Sequence, residues 1–155
     1  MYEERITQAV ENFKKGFNCS QSVVAAFCDL YGLDENLALR AAASFGGGIG
    51  RMRQTCGAAC GMFFLVGLET GSVDPKDREG KGANYAAVQD LAGKFKEING
   101  SIICGELLGL KPKAPTPSDP EQRTEQYYKK RPCVKMVETA ATLFAQFLEE
   151  RHKND

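Results

Sequence analysis

A chain of 155 residues, 43% of them apolar, is the size of one domain and can bury a core without a metal or disulfide to hold it together. Twenty basic residues balance twenty acidic ones, so the strong positive field used to bind nucleic acid or a membrane surface is absent, and neither partner is expected. The charged start Met1-Tyr2-Glu3-Glu4-Arg5 lacks the apolar stretch of a secretory signal, and the longest apolar run, Met62 to Leu68, is too short to insert in a bilayer.

Taken in order, Ile6, Ala9, Val10 and Phe13 recur at helical spacing until Gly16, and Asn18 offers a cap for a second helix through Val23 and Phe27 to about Tyr31, stopped by Gly32. Asp34 caps a third helix through Leu37 and Ala41 to Phe45. Gly46-Gly47-Gly48-Ile49-Gly50 then forces a sharp connection. With Thr55 as cap, a fourth helix runs from about Cys56 to Glu69. It is apolar nearly all round, which predicts the central, most buried helix.

A polar loop around Asp74-Pro75-Lys76-Asp77 precedes a fifth helix with Ala83, Ala87, Leu91 and Phe95 on one face, ending near Asn99-Gly100. Ser101 caps a short sixth helix through Leu107 and Leu108. Residues Lys111 to Pro120 hold four prolines in ten positions, which reads as a surface excursion, either a lid or partner-binding loop or a plain connector. Pro132 opens a last helix whose stripe of Met136, Val137, Ala140, Leu143, Phe144 and Phe147 packs inward. There is no repeat and no alternating strand pattern. The expected fold is all-α: one domain over residues 1–155, a bundle of six to seven helices around a central apolar one.

A cytoplasmic location is expected, where six cysteines point to metal binding or reversible redox chemistry in preference to permanent disulfides. Four of them, Cys19, Cys56, Cys104 and Cys133, fall in the first turn of a predicted helix, where free N–H groups and the positive dipole end stabilise a thiolate. These four are the candidate catalytic residues. Cys28 points to the opposite side of its helix from Cys19 and reads as a small core residue. Cys60, one turn beyond Cys56 on the same face, is open between a fifth ligand, a resolving thiol and a packing residue. A disulfide between Cys56 and Cys60 would need local unwinding, because helical Cβ atoms four apart lie about 5–6 Å from each other and a disulfide wants about 3.8 Å.

The single histidine, His152, sits in a polar tail and is expected to be solvated, so metal chemistry here would be thiolate-only. Cys19, Cys56, Cys60, Cys104 and Cys133 are the candidate metal ligands, for zinc or an iron–sulfur cluster. The glycine loop with Arg51 and Arg53 offers two readings: an anion or cofactor nest built from Gly47, Gly48, Gly50, Arg51 and Gly57, or a tight turn that lets helices approach. It lacks the Gly-Lys-Ser/Thr ending of a P-loop, and it follows a helix where a dinucleotide fingerprint follows a strand.

The segments Phe45-Gly46-Gly47-Gly48-Ile49-Gly50-Arg51 and Cys56-Gly57-Ala58-Ala59-Cys60-Gly61 stand with Asn18-Cys19-Ser20-Gln21 upstream and Cys104-Gly105 and Cys133 downstream. Together they resemble the redox-active family labelled C_GCAxxG_C_C, small helical proteins with four cysteines and a C-G-A-x-x-G box. The resemblance covers nearly the whole chain. It implies that Cys19, Cys56, Cys104 and Cys133 are the family positions, with Gly57, Ala58 and Gly61 completing the box. Cys28 and Cys60 are extras. The resemblance further implies that related domains occur beside oxidoreductase or transporter components, and it allows a cluster-binding role.

The expected function is redox chemistry at one site where the four cysteines converge, as metal or cluster ligands first and as disulfide partners second, with a redox partner protein that the sequence does not identify. A non-catalytic helical module that binds a ligand or partner through its glycine nest is the alternative. A hydrolase or transferase is disfavoured, since no histidine and carboxylate accompany a nucleophile in a recognisable order. A homodimer is compatible with this much apolar helix surface, although nothing locates an interface.

Overall fold

A computed structural model describes residues 1–155 as eight α-helices with no strand. They are α1 (Glu3–Lys14), α2 (Cys19–Phe27), α3 (Glu35–Ala42), α4 (Gly57–Thr70), α5 (Arg78–Asn99), α6 (Cys104–Leu107), α7 (Glu125–Lys130) and α8 (Cys133–His152). Tight 3-10 turns extend α2 over Cys28–Tyr31 and α3 over Ala43–Phe45. No helix is long and apolar enough to cross a membrane.

The starts follow local chemistry where a polar side chain is free to cap. Asn18 accepts from the Gln21 N–H at 2.9 Å while the Gln21 side chain accepts from the Asn18 N–H, a reciprocal capping box that fixes where α2 begins. Asp34 and Asp77 cap α3 and α5 by accepting from the Leu37 and Gly80 N–H groups, without the reciprocal bond.

Two expected caps act otherwise. Cys56 is itself the N-cap of α4, because Thr55 is drawn into an antiparallel bridge with Ile103. The Ser101 hydroxyl accepts from the Ile103 N–H at 2.9 Å and donates to Glu106, so α6 starts only after Ile103. Helix α7, between the proline-rich segment and Pro132, carries no apolar stripe that would have announced it; Thr124 caps it.

Helix α4 packs on α2, α5 and α8, and the residue that sets its approach to α2 is Gly61. A Cβ there would lie 2.9 Å from the Ser20 carbonyl, so the two backbones cross with no side chain between them. Burial on α4 runs over Gly57–Ala59 and Gly61–Met62, then Leu65 and Val66. Phe63 and Phe64 are half-buried and Leu68 is 40% exposed, so the outer end of this apolar helix is less covered than its composition suggests. Helix α8 shares the centre: Met136, Val137, Ala140, Leu143 and Phe144 of the expected stripe are buried, and Phe144 meets Phe27 edge-to-face at 5.0 Å.

Candidate functional site

The loop between α3 and α4 is built in an unusual hand. Five consecutive residues, Gly47, Gly48, Ile49, Gly50 and Arg51, have φ of 65°, 75°, 66°, 57° and 61°, and Arg53 follows at 62°. For an L-residue this region costs about 1–2 kcal/mol, and for the β-branched Ile49 it is a true outlier. Long-reach backbone bonds hold it: Gly50 N–H donates to Ser44 O at 2.7 Å, Arg53 N–H to Gly47 O at 3.2 Å and Gln54 N–H to Gly48 O at 2.9 Å. A strained loop so firmly held is a mark of a functional site.

The same loop stitches two cysteines together. Cys56 N–H donates to Ile102 O at 2.7 Å, Cys104 N–H to Gln54 O at 2.6 Å and Gly105 N–H to Arg53 O at 3.1 Å. The starts of α4 and α6 are thereby fixed side by side. A Cβ on Gly48 would sit 2.6 Å from Cys104 Cβ, and one on Gly57 would sit 2.7 Å from Phe45 O and 3.3 Å from Cys19 Cβ. Glycine at these positions is what lets the cysteine-bearing segments close up.

The result is a cavity of about 420 Å³ lined by Cys19, Cys56, Cys104 and Cys133 together. Gly47, Gly48, Gly50, Arg51 and Gly57 line it as well. The proline-rich excursion lies over it, with Ser118, Pro120 and Glu121 in the wall, and Arg51 of the glycine loop donates to the Pro117 carbonyl at 2.6 Å and to the Asp119 carbonyl.

Cys60 is not part of this wall; its thiol turns to the Thr55 carbonyl at 3.8 Å. The one-turn argument relating it to Cys56 fails because Cys56, as N-cap, has extended backbone (φ −52°, ψ 131°) and projects differently from a helical residue. Cys28 is buried elsewhere, its thiol directed at Ala25 O. His152 contacts Glu69 and Asp155, far from the thiols in the packing.

Sharing a cavity does not make the four thiols alike. Cys133 is lowered to about 7, first by hydrogen bonding with Cys19 and then, against the cost of burial, by the Arg131 charge, a hydrogen bond with Tyr127 and the Arg123 charge. Cys19 is its counterpart: holding the shared proton for Cys133 and being buried push its pKa well up. Burial lifts Cys56 to about 12 even though the Ala58 and Ala59 N–H groups oppose it. Cys104 is also raised by burial, with Arg53, whose Nη1 lies 3.6 Å from the sulfur, pulling the other way. Only Cys133 of the four is lowered, and by Cys19 more than by its helix start; at Cys56 burial outweighs the helix-end N–H groups, at Cys104 it outweighs Arg53, and Cys19 is raised first by its bond with Cys133.

Arg123, Tyr127 and Arg131 were not singled out by the sequence. A usable signal was present in Arg131-Pro132-Cys133, a cation two residues before a cysteine at a helix start. Arg123 is placed by two hydrogen bonds, to Phe13 O at 2.8 Å and Phe17 O at 2.9 Å, and by the Phe13 ring 4.1 Å beneath its guanidinium.

No three Cys, His, Asp or Glu side chains are disposed to hold one metal ion. The donor set proposed for zinc or an iron–sulfur cluster is thus brought to one cavity, apart from Cys60, but is not arranged as a coordination group.

Compared with known proteins, residues 17–147 match the model of the family described as "Putative redox-active protein (C_GCAxxG_C_C)". No curated protein and no solved structure matches the chain.

Proposed function

The chain belongs to the C_GCAxxG_C_C family, and from that premise we propose that it is a dithiol–disulfide redox protein in which Cys133 is the nucleophile and Cys19 the resolving thiol. The observation that carries this reading is the placement of Cys19 and Cys133 together on the wall of one cavity, where interaction between them lowers the pKa of Cys133 and raises that of Cys19. Lowering the Cys133 pKa toward neutrality increases its thiolate share at physiological pH, and attack on a disulfide is fastest for a thiol whose pKa lies near the ambient pH.

The Cys133 thiolate attacks one sulfur of a substrate disulfide, forming a mixed disulfide and releasing the other substrate sulfur as a thiolate. Cys19 then gives up its proton, which passes to that leaving thiolate, and its sulfur attacks Cys133 Sγ. The second substrate thiolate departs and takes a proton from solvent. Two electrons have moved from the dithiol to the substrate, which leaves as two thiols, and the protein holds a Cys19–Cys133 disulfide. A thiol reductant reverses the sequence. Arg131 and Tyr127 stabilise the attacking thiolate, while Cys56 and Cys104, both raised by burial, are the less reactive thiols.

Mass-spectrometric mapping after treatment with a small disulfide tests this. Wild type yields a Cys19–Cys133 disulfide, Cys19→Ser accumulates a mixed disulfide on Cys133, and Cys133→Ser reacts at least about a hundredfold more slowly. Unchanged reaction of Cys133→Ser overturns the assignment. So does protein purified without oxygen that holds stoichiometric metal or acid-labile sulfide through these cysteines.

A further inference from the structure

The same cavity carries a charge imbalance that thiol exchange by itself does not require. Five charged side chains line it: Arg51, Arg53, Arg123, Arg131 and Glu121. Glu121 pairs with Arg131. The other three guanidiniums have no carboxylate partner anywhere in the protein. Arg51 meets two backbone carbonyls, Arg123 two carbonyls and aromatic faces, and Arg53 the Cys104 sulfur. All three are half-buried. Carbonyls satisfy N–H groups but leave the charge uncompensated, and three such cations in one concave site repel each other in a chain whose net charge is zero.

A second observation lies in the glycine loop. Within the protein, the N–H groups of Gly46, Gly47 and Gly48 donate to no acceptor, although all three glycines line the cavity. Consecutive unpaired N–H groups beside guanidiniums are the chemistry of an oxyanion site. The volume, about 420 Å³, is that of a small-molecule site.

We infer that the cavity takes a low-molecular-mass anion, and that the disulfide reduced there is a small one bearing carboxylate groups, held by Arg51, Arg53, Arg123 and the glycine N–H groups. This rests on the dithiol reading for the reacting bond and on the uncompensated cations for the ligand's charge. The cations also explain how an anion can approach a thiolate: they outnumber Cys133 and Glu121 together.

The test uses the wild-type protein and three disulfides of similar size: anionic dithiodipropionate, neutral bis(hydroxyethyl) disulfide and cationic cystamine. Each rate of mixed-disulfide formation is divided by that with a free reference thiol, which removes intrinsic reactivity. Dithiodipropionate should then lead the neutral disulfide by at least about tenfold and cystamine by more, with the advantage shrinking as salt rises. Arg53→Gln should reduce that lead several-fold, and Arg123→Gln, where it folds, should do the same. Equal normalised rates, or a lead for cystamine, overturn the inference and leave the dithiol reading standing.

A second arm uses thiodipropionate, the thioether lacking the S–S bond, as a shield against alkylation of Cys133 by neutral iodoacetamide. Protection by it, and none by neutral thiodiglycol, supports the anion site; no protection counts against it. Protection with no exchange of any disulfide would overturn the dithiol reading while leaving the anion site in place.

Discussion

The two sides of the cavity place cysteines at helix starts by different means. Cys56 and Cys104 stand on a wall made of backbone: the positive-φ loop, the Thr55–Ile103 bridge and the amide bonds between residues 53–56 and 102–105. Cys19 and Cys133 stand on a wall finished by side chains, with Arg123, Tyr127 and Arg131 around the sulfur of Cys133. Both walls carry guanidiniums, Arg51 and Arg53 on the first and Arg123 and Arg131 on the second, but burial raises both thiols of the first, while on the second the bond with Cys19 lowers Cys133. A helix start sets where a sulfur goes, while the neighbouring cation and thiol set what it does.

If that division is right, changes on the backbone wall should cost folding and changes on the side-chain wall should cost reactivity. The largest loss of stability is expected for Gly48→Ala, which must hold a positive φ and push a Cβ to 2.6 Å from Cys104 Cβ; denaturant unfolding should show a loss of about 2–4 kcal/mol. Gly50→Ala is the matched control. It has the same hand of backbone (φ 57°) but open space around the new methyl, so the loss should be only about 1–2 kcal/mol.

On the other wall, Cys19→Ala removes the first cause of the lowered Cys133 pKa. Alkylation follows the thiolate, so its rate rises with pH through the pKa and levels above it. For wild type the midpoint should fall near 7, and in Cys19→Ala it should move up toward the ordinary thiol range of about 8.5. Arg131→Gln should shift it the same way by less. Arg53→Gln should leave it in place, since Arg53 acts on Cys104. The smallest effect belongs to Cys60→Ala: its sulfur faces Thr55 O, and both the midpoint and the rate should be unchanged.

Much of the frame was legible because it depends on local chemistry. Asn18 and Asp34 cap where capping residues precede periodic apolar runs, and α8 buries most of the stripe its sequence displays. The gathering of Cys19, Cys56, Cys104 and Cys133 was also legible, since each sits at the edge of a predicted helix. What stayed hidden arises between segments. The bridge that takes Thr55 from its cap pairs it with Ile103, and the burial that neutralises Cys56 comes from the assembled core. Arg123 reaches back to Phe13 and Phe17, a pairing that no periodicity encodes.

The dependence of Cys133 on Cys19 has a bearing on the protein's life before it is folded. The two residues are 114 positions apart in the sequence, and they meet only through the packing of α2 and α8. Until α2 and α8 meet, Cys133 is an ordinary thiol, with only about 3% in the thiolate form at pH 7. Closing the bundle lowers its pKa and raises that share. Under the dithiol reading, reactivity is thus acquired only when α2 and α8 dock, and a chain in which they have not yet met is spared the mispaired disulfides that an early-activated cysteine would invite.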